Sequence, residues 1–132
     1  MRIYIAGPMR GVAEFNRPAF DDAEAILRDL GHDVVNPAHL DEEMGLNFKT
    51  DADVTPDHLK EIMVRDITAL YTCDRVALLP NWFDSRGAKL ELQAARYVGI
   101  DAIEITKTQL EVGRAKRTSA YEASSHSGSE GA

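Results

Sequence analysis

The sequence has almost no cysteine and no segment suited to a membrane. Cys73 is the single cysteine among 132 residues, which excludes an internal disulfide and gives no spacing for a cysteine-based metal site. No apolar run approaches the roughly 18 residues that a membrane helix needs. The first apolar residues are interrupted by Gly7-Pro8 too early for a secretory signal. These absences predict a cytoplasmic protein without a transmembrane segment.

Positive charge is also in short supply. The chain has 15 lysines and arginines against 22 aspartates and glutamates, which gives a formal net charge of −7. Proteins that bind nucleic-acid polymers or anionic membranes need a basic surface to offset phosphate charge, so neither partner is expected. A small phosphorylated ligand needs only one or two well-placed cations and stays open. The four histidines show no spacing typical of metal ligands.

Short apolar runs alternate with segments of helical periodicity. The runs predict strands at residues 2–6, 32–37, 74–80 and 101–105, and the periodic segments predict helices at 16–30, 55–70 and 87–97. Strands that alternate with helices are joined by right-handed crossovers into a parallel sheet. We therefore predict a three-layer α/β fold of the flavodoxin or Rossmann type. Its mainly parallel sheet has four to five strands, with helices on both faces.

Turn-forming residues mark the expected ends of these helices. Asn16 and Thr55 are suitable N-caps followed closely by proline, and Gly31 and Gly99 are suitable terminators. Residues 38–54 are polar and acidic without a clear period, which predicts a long loop with at most one helical turn. Long loops in small domains often serve as functional lids.

We expect one folded domain followed by a C-terminal extension. Residues 1–106 contain the whole pattern of strands and helices, and a chain of this length can build one core but not two. Residues 107–132 form a C-terminal extension, in which 107–115 are compatible with a short helix. The end of the chain is mostly Ser, Gly, Ala and Glu, so we predict disorder from about residue 116.

Three loops are the expected ligand-binding segments. In parallel α/β sheets, ligands bind beyond the carboxyl ends of the strands, which here points to residues 6–12, 36–54 and 80–87. The first loop, Gly7-Pro8-Met9-Arg10-Gly11, places glycines on both sides of a cation. Its amides could approach an anion closely, and Arg10 could bind phosphate or carboxylate through two hydrogen bonds. The alternative is a plain turn with an exposed arginine.

Two acidic residues occupy unusual places in the predicted helices. Asp66 is spaced with Ile62 and Leu70 on the apolar face of its helix, where a carboxyl needs hydrogen-bond donors, a raised pKa or a cleft. The alternative is an ion pair at the edge of that face. Glu91 lies one turn into the next helix beside small residues that leave room above its carboxylate. The alternative is a solvated glutamate.

The start of that next helix is a candidate anion site. Ser85 is suited to cap the helix, and a helix N-terminus also presents free amides and a favourable dipole to phosphate. Arg86 and Lys89 add positive charge nearby. Trp82 and Phe83, in the preceding loop, could either stack on a nucleobase or close the core.

Taken in order, these segments resemble the nucleoside 2-deoxyribosyltransferase superfamily. That superfamily includes the 2′-deoxynucleoside 5′-monophosphate N-glycosidases and a group of uncharacterised small domains from phages and bacteria. The resemblance covers residues 2–105. It is carried by Tyr4-Ile5-Ala6-Gly7-Pro8-Met9-Arg10-Gly11, by Arg65-Asp66-Ile67 with Cys73-Asp74-Arg75-Val76-Ala77, and by Ser85-x-Gly87-x-x-x-Glu91-Leu92. The last motif, which looks like the nucleophile motif of the family, is the most specific.

The resemblance implies roles for individual residues. Glu91 would attack C1′ of a 2-deoxyribosyl group and form a covalent glycosyl ester, Asp66 would assist departure of the base, and Tyr4 would orient Glu91. Substrate would be bound by Gly7, Pro8, Met9, Arg10, Gly11, Ser85 and Gly87. With water as acceptor the enzyme is a hydrolase, and with another base it is a transferase. The resemblance implies no metal, no organic cofactor, and a homodimer or larger homo-oligomer.

The implied substrate is a small deoxynucleotide or deoxynucleoside. Pro8 departs from the nucleotide-using hydrolases, because it lacks the hydroxyl that they often place there. Arg10, Ser85 and Gly87 nevertheless favour a nucleotide over a nucleoside. Two other classes stay open: a non-catalytic nucleotide-binding sensor, and a phage accessory protein that acts through its acidic surface and its tail.

Overall fold

A parallel sheet forms the centre of the protein. The computed structural model describes residues 1–130, with side-chain surroundings for residues 1–122. Within them the strands are β1 (Arg2–Ala6), β2 (Asp33–Val35), β3 (Arg75–Leu78) and β4 (Asp101–Glu104), in the spatial order β2-β1-β3-β4. All the paired strands are parallel. The predicted α/β fold is confirmed, with four strands in the described residues.

Helices cover both faces of this sheet. They are α1 (Arg17–Asp29), α2 (Pro37–Glu43), α3 (Pro56–Leu70), α4 (Arg86–Tyr97) and α5 (Lys107–Glu130). Successive strand side chains point to opposite faces. Ile3 and Ile5 therefore pack with Phe20 under α1, whereas Tyr4 packs with Leu92 under α3 and α4. None of these described helices has a stretch long and apolar enough to cross a bilayer.

The helix ends agree with prediction except at Asn16. The Thr55 hydroxyl accepts a hydrogen bond from the amide of His58 at 3.1 Å and caps α3, and Gly31 follows α1 with φ +91°. The Asn16 side chain instead donates to the carbonyl of Pro8 at 2.8 Å, so the predicted cap is wrong. Asn16, Glu14 and Phe15 form a run of three left-handed residues. Such a conformation costs about 1–2 kcal/mol per residue.

The predicted loop at 38–54 is wrong at its start, because α2 occupies Pro37–Glu43. The side chain of Asn36 accepts a hydrogen bond from the amide of Ala38 at 3.0 Å and caps this helix. Pro37 stands at the first helical position, which proline tolerates well. Further along, Asp51–Asp53 form a 3-10 turn.

The C-terminal extension also differs from the expectation of disorder from about residue 116. Helix α5 runs without a break from Lys107 to Glu130 and packs along α1, while residues 131–132 lie outside the described part. A Cβ at Gly113 would overlap the carbonyl oxygen of Asp22, so glycine lets the two backbones meet. Arg117 then forms an ion pair with Asp22. The domain boundary at residue 106 stays a prediction.

Candidate active site

A buried tyrosine and a buried glutamate join the sheet to α4. The hydroxyl of Tyr4, on the central strand β1, donates a hydrogen bond to Oε2 of Glu91. Tyr4 is fully buried and Glu91 is 7% exposed. Burial, and then the nearby charge of Asp66, raise the pKa of Glu91 to about 8. Burial raises the pKa of Tyr4 well above its usual value, so the phenol stays a neutral donor.

A second buried carboxyl lies beside this pair. Asp66 on α3 is 7% exposed, and its Oδ1 accepts hydrogen bonds from Nε and Nη2 of Arg65 at 2.9 and 2.7 Å. Burial raises the pKa of Asp66 to about 6 even though Arg65 lowers it. Because burial raises the pKa of both carboxyls, the pair favours holding one proton at neutral pH. One acidic and one ionised group can thus coexist at neutral pH.

The structure adds Asp41, which the sequence did not single out. Asp41 lies on α2, is 8% exposed, and has its Oδ1 at 2.7 Å from Nη2 of Arg65. Burial raises the pKa of Asp41 although Arg65 opposes the change. The dipeptide Asn36-Pro37, a cap followed by proline, is the signal that could have predicted α2, since Thr55-Pro56 predicted α3 correctly.

The loop after β1 lies at the expected edge of the sheet, but its groups are partly engaged within the protein. A Cβ at Gly7 would lie 2.7 Å from Cβ of Leu79, so glycine at this position allows the loop to pack closely against the residue that follows β3. The amide of Gly11 donates to Oδ2 of Asp51 at 2.9 Å. Arg10 is exposed. The substrate-binding role of Gly7, Pro8, Met9, Arg10 and Gly11 stays a prediction.

The start of α4 combines a helix cap with free space. Oγ of Ser85 accepts a hydrogen bond from the amide of Ala88 at 3.1 Å, which confirms the predicted cap. The Ser85 hydroxyl still has its own hydrogen to donate. A Cβ at Gly87 would meet no atom closer than Oγ of Ser85 at 4.0 Å, so this turn is open. A phosphate contact at this turn stays a prediction.

The two aromatic residues before α4 have different surroundings. Trp82 packs partly buried against the core under α3 and α4, and its indole nitrogen donates to Oε1 of Glu104 at 3.2 Å. Phe83 is 57% exposed and meets Trp82 edge to face. Trp82 therefore closes the core, whereas the ring of Phe83 is available for a ligand.

Open space is found on the other side of the molecule. A cavity of about 840 Å³ between α1 and α5 is lined by Pro18, Asp22, Arg114, Arg117, Thr118, Ala120 and Tyr121. Next to it, Asp21, Glu24 and His39 converge, and the Asn36 amide donates to both carboxylates at 3.0 Å. The charges there are already matched by Arg28 and Arg117. We place the candidate site at Glu91 because of its adjacent buried carboxyls, and not at this cavity, which offers only space.

Comparison with known proteins places the chain in a family. The sheet order and the burial pattern define a small parallel α/β domain with two adjacent buried carboxyls. Residues 1–104 match the family described as "Domain of unknown function (DUF4406)", and the chain belongs to this family. No curated protein matches the chain.

A solved structure with a similar fold is a 2-deoxyribosyltransferase from the psychrotolerant bacterium Bacillus psychrosaccharolyticus. The TM-score is 0.58 and the sequence identity is 22%, over 83% of this chain and 80% of that one. This likeness shows the shared fold.

Proposed function

We propose that this protein cleaves or transfers the N-glycosidic bond of a 2′-deoxynucleoside 5′-monophosphate or a deoxynucleoside. The observation that carries the proposal is the buried Glu91 carboxyl, hydrogen-bonded to Tyr4 and set beside Asp66. Two adjacent buried carboxyls that share one proton can supply a nucleophile and an acid, as glycosidic chemistry requires, once that proton lies on Asp66. The fold shared with a 2-deoxyribosyltransferase supports the same reaction class.

The proposed reaction has two balanced steps. An oxygen of ionised Glu91 bonds to C1′ of the sugar while the bond from C1′ to the base nitrogen breaks, and the base leaves with the electron pair. Asp66 supplies the proton that the base takes up. Water, or a second base, then attacks C1′ and releases Glu91, and the ionised Asp66 accepts the proton of that nucleophile.

The shared proton has to be in the right place for the first step. Burial raises the pKa of Glu91 further than that of Asp66, which favours Glu91 as the holder of the shared proton in the free pair. Positive charge that develops at C1′ beside Glu91 favours the ionised carboxylate and leaves the proton to Asp66. The hydrogen bond from Tyr4 lowers the pKa of Glu91 and so favours its ionised form.

A nucleotide is the substrate that we favour over a nucleoside. The Ser85 hydroxyl and the dipole of α4 suit an anion, and Arg10 is free to approach it from the loop after β1. A phosphate at the Gly11 amide would displace the Asp51 carboxylate, which now accepts that hydrogen bond. Phe83 is the candidate for stacking on the base.

The direct test is to incubate the protein with a panel of deoxynucleoside monophosphates and deoxynucleosides and to measure free base by chromatography. Glu91→Gln should lower base release by about 10³-fold or more. The matched control is Glu61→Gln on the exposed side of α3, which should keep full activity. Equal release by wild type and Glu91→Gln would remove the nucleophile assignment. Binding by calorimetry without any turnover would favour the sensor class instead.

Self-association is part of the proposal, on the strength of the family resemblance. Exposed apolar side chains on α3 and α4, among them Val64, Leu90 and Tyr97, offer a surface for it. We expect a homodimer or larger homo-oligomer by light scattering at micromolar concentration. A monomeric mass under those conditions would contradict this expectation.

A further inference from the structure

Arg65 links two buried carboxyls from different helices. Its Nη2 lies 2.7 Å from Oδ1 of Asp66 on α3 and 2.7 Å from Oδ1 of Asp41 on α2. Its Nε donates a further hydrogen bond to Asp66 at 2.9 Å. The Arg65 side chain is 15% exposed, and the side chains of Asp41 and Asp66 are 11% and 10% exposed. The guanidinium thus hydrogen-bonds to Asp66 and faces Asp41 as a close ion pair, since Oδ1 of Asp41 accepts no hydrogen bond within the described residues. Little water is present to screen any of these charges.

The charges around Asp66 do not balance without a proton. Facing it are Tyr4 from β1, Asp41 from α2, Arg65 on its own helix and Glu91 from α4. Three carboxyls and one cation share this buried region, and burying unpaired charge is costly. At least one carboxyl is therefore expected to hold a proton, and the position of Arg65 between Asp41 and Asp66 influences which one does.

We propose that Asp41 is a positioning residue that engages Arg65 and thereby keeps Asp66 able to hold a proton beside Glu91. If Arg65 paired with Asp66 alone, the two would form an ordinary ion pair. An arginine lowers the pKa of a neighbouring carboxyl and so opposes the burial that lets Asp66 hold a proton. By drawing part of the guanidinium charge toward α2, Asp41 weakens this opposition and favours the acid form of Asp66. The catalytic consequence rests on the proposed function, whereas the electrostatic one does not.

The two partners of Asp66 act on it in opposite directions, which makes the proposal testable. The charge of Asp41 raises the pKa of Asp66, and Arg65 lowers it. Asp41→Asn should therefore lower the midpoint at which Asp66 titrates, and Arg65→Gln should raise it. A purely structural role would damage both variants alike, without shifts of opposite sign.

The experiment is a ¹³C NMR titration of the Asp66 side-chain carboxyl in the full chain, with the resonance assigned by its loss in Asp66→Asn. We expect the midpoint to move by about half a pH unit or more, downward in Asp41→Asn and upward in Arg65→Gln. The control is Glu42→Gln, the neighbouring position on α2, whose exposed carboxylate pairs with Arg17 at 3.2 Å. It removes the same charge from the same helix and should leave the Asp66 midpoint in place.

One further variant and one further measurement distinguish the possible outcomes for Asp41. Arg65→Lys, which keeps the cation, should restore the midpoint toward wild type and also serves if Arg65→Gln does not fold. If base release is measurable, the limb of its pH profile that reports Asp66 should move with the NMR midpoint. Opposite midpoint shifts without any base release would support the role of Asp41 and reject the enzyme. Unchanged midpoints, or shifts of the same sign in Asp41→Asn and Arg65→Gln, would overturn the role of Asp41.

Discussion

The ionisation of Glu91 couples the stability of the protein to pH. A carboxyl whose pKa is higher in the folded than in the unfolded state binds more protons when folded. The stability that Glu91 contributes is therefore fully present below its unfolded pKa near 4.5 and is lost as the pH rises through about 8. Above that pH, folding has to bury a charge at the hydroxyl of Tyr4.

Glu91→Gln should remove this dependence, because the amide is neutral and can still accept the hydrogen bond from Tyr4. We expect wild type and variant to have similar stability near pH 5. At pH 9 the variant should be more stable by roughly 1–3 kcal/mol, as measured by urea unfolding at both pH values.

Asp53→Asn is a control, because the pKa of Asp53 is shifted in the opposite direction from that of Glu91. The amides of Lys49 and Thr50 donate to the Asp53 carboxylate and lower its pKa. Its contribution is present above its unfolded pKa near 3.8 and is lost as the pH falls through the lower folded value. Asp53→Asn should therefore show no gain at pH 9, and the Glu91 explanation fails if both variants gain alike.

Individual residues also show which parts of the site could be predicted from the sequence. The helical spacing of Asp66 predicted a carboxyl on an apolar face, and the structure buries it there. The pairing of Arg65 with Asp41 could not be predicted, because it depends on where α2 docks and no local pattern encodes that position. For the same reason the bond between Gly11 and Asp51 was not foreseen: it joins two loops that are 40 residues apart.

At the scale of elements, α3 and α4 begin with the same device. Thr55 and Ser85 each accept a hydrogen bond from the third helical amide, at 3.1 Å in both helices. Replacing either by alanine should cost about 1 kcal/mol of unfolding free energy. Only Ser85 lies at the proposed phosphate site.

The two caps therefore form a matched pair for ligand binding. Ser85→Ala should weaken binding of a deoxynucleoside monophosphate about tenfold through the lost hydrogen bond, and Thr55→Ala should not change it. Calorimetry with the monophosphate and the matching nucleoside measures both effects. An equal loss in the two variants would assign Ser85 to the fold alone.

Helices and strands could be predicted where the local sequence carried both a clear period and residues that mark the ends. The strand and helix alternation, with Gly31 and Gly99 at helix ends, was enough to give the layers and the parallel sheet. The α2 helix was missed because its 7 residues are too few to show a helical period, and because it depends on the Asn36 cap and on burial of Asp41. Beyond residue 116, composition favoured disorder, but the contacts of Arg117 lie on α1, nearly 100 positions earlier in the chain.

At the scale of the whole molecule, α5 packs on α1 as an additional layer. Gly113→Ala would force its new Cβ against the carbonyl of Asp22, so the two helices would have to separate. Overpacking of this kind costs about 1–3 kcal/mol. The control is Gly87→Ala in α4, where the space is open and alanine favours the helix by about 0.5–1 kcal/mol.

Thermal unfolding followed by circular dichroism compares the two variants. Gly113→Ala should melt below wild type, and Gly87→Ala should melt at or above it. Equal melting temperatures for wild type and Gly113→Ala would mean that α5 does not pack on α1 in solution, and would agree with the expectation of disorder from about residue 116.

The central place of β1 has a consequence for the order in which the sheet forms. β1 pairs with β2 about 30 residues later in the chain and with β3 only about 70 residues later. Tyr4 meets Glu91 across 87 positions. One edge of this apolar strand therefore stays unpaired until β3 joins it, and the carboxyls of Asp66 and Glu91 come together only after α3 and α4 have both packed on the sheet.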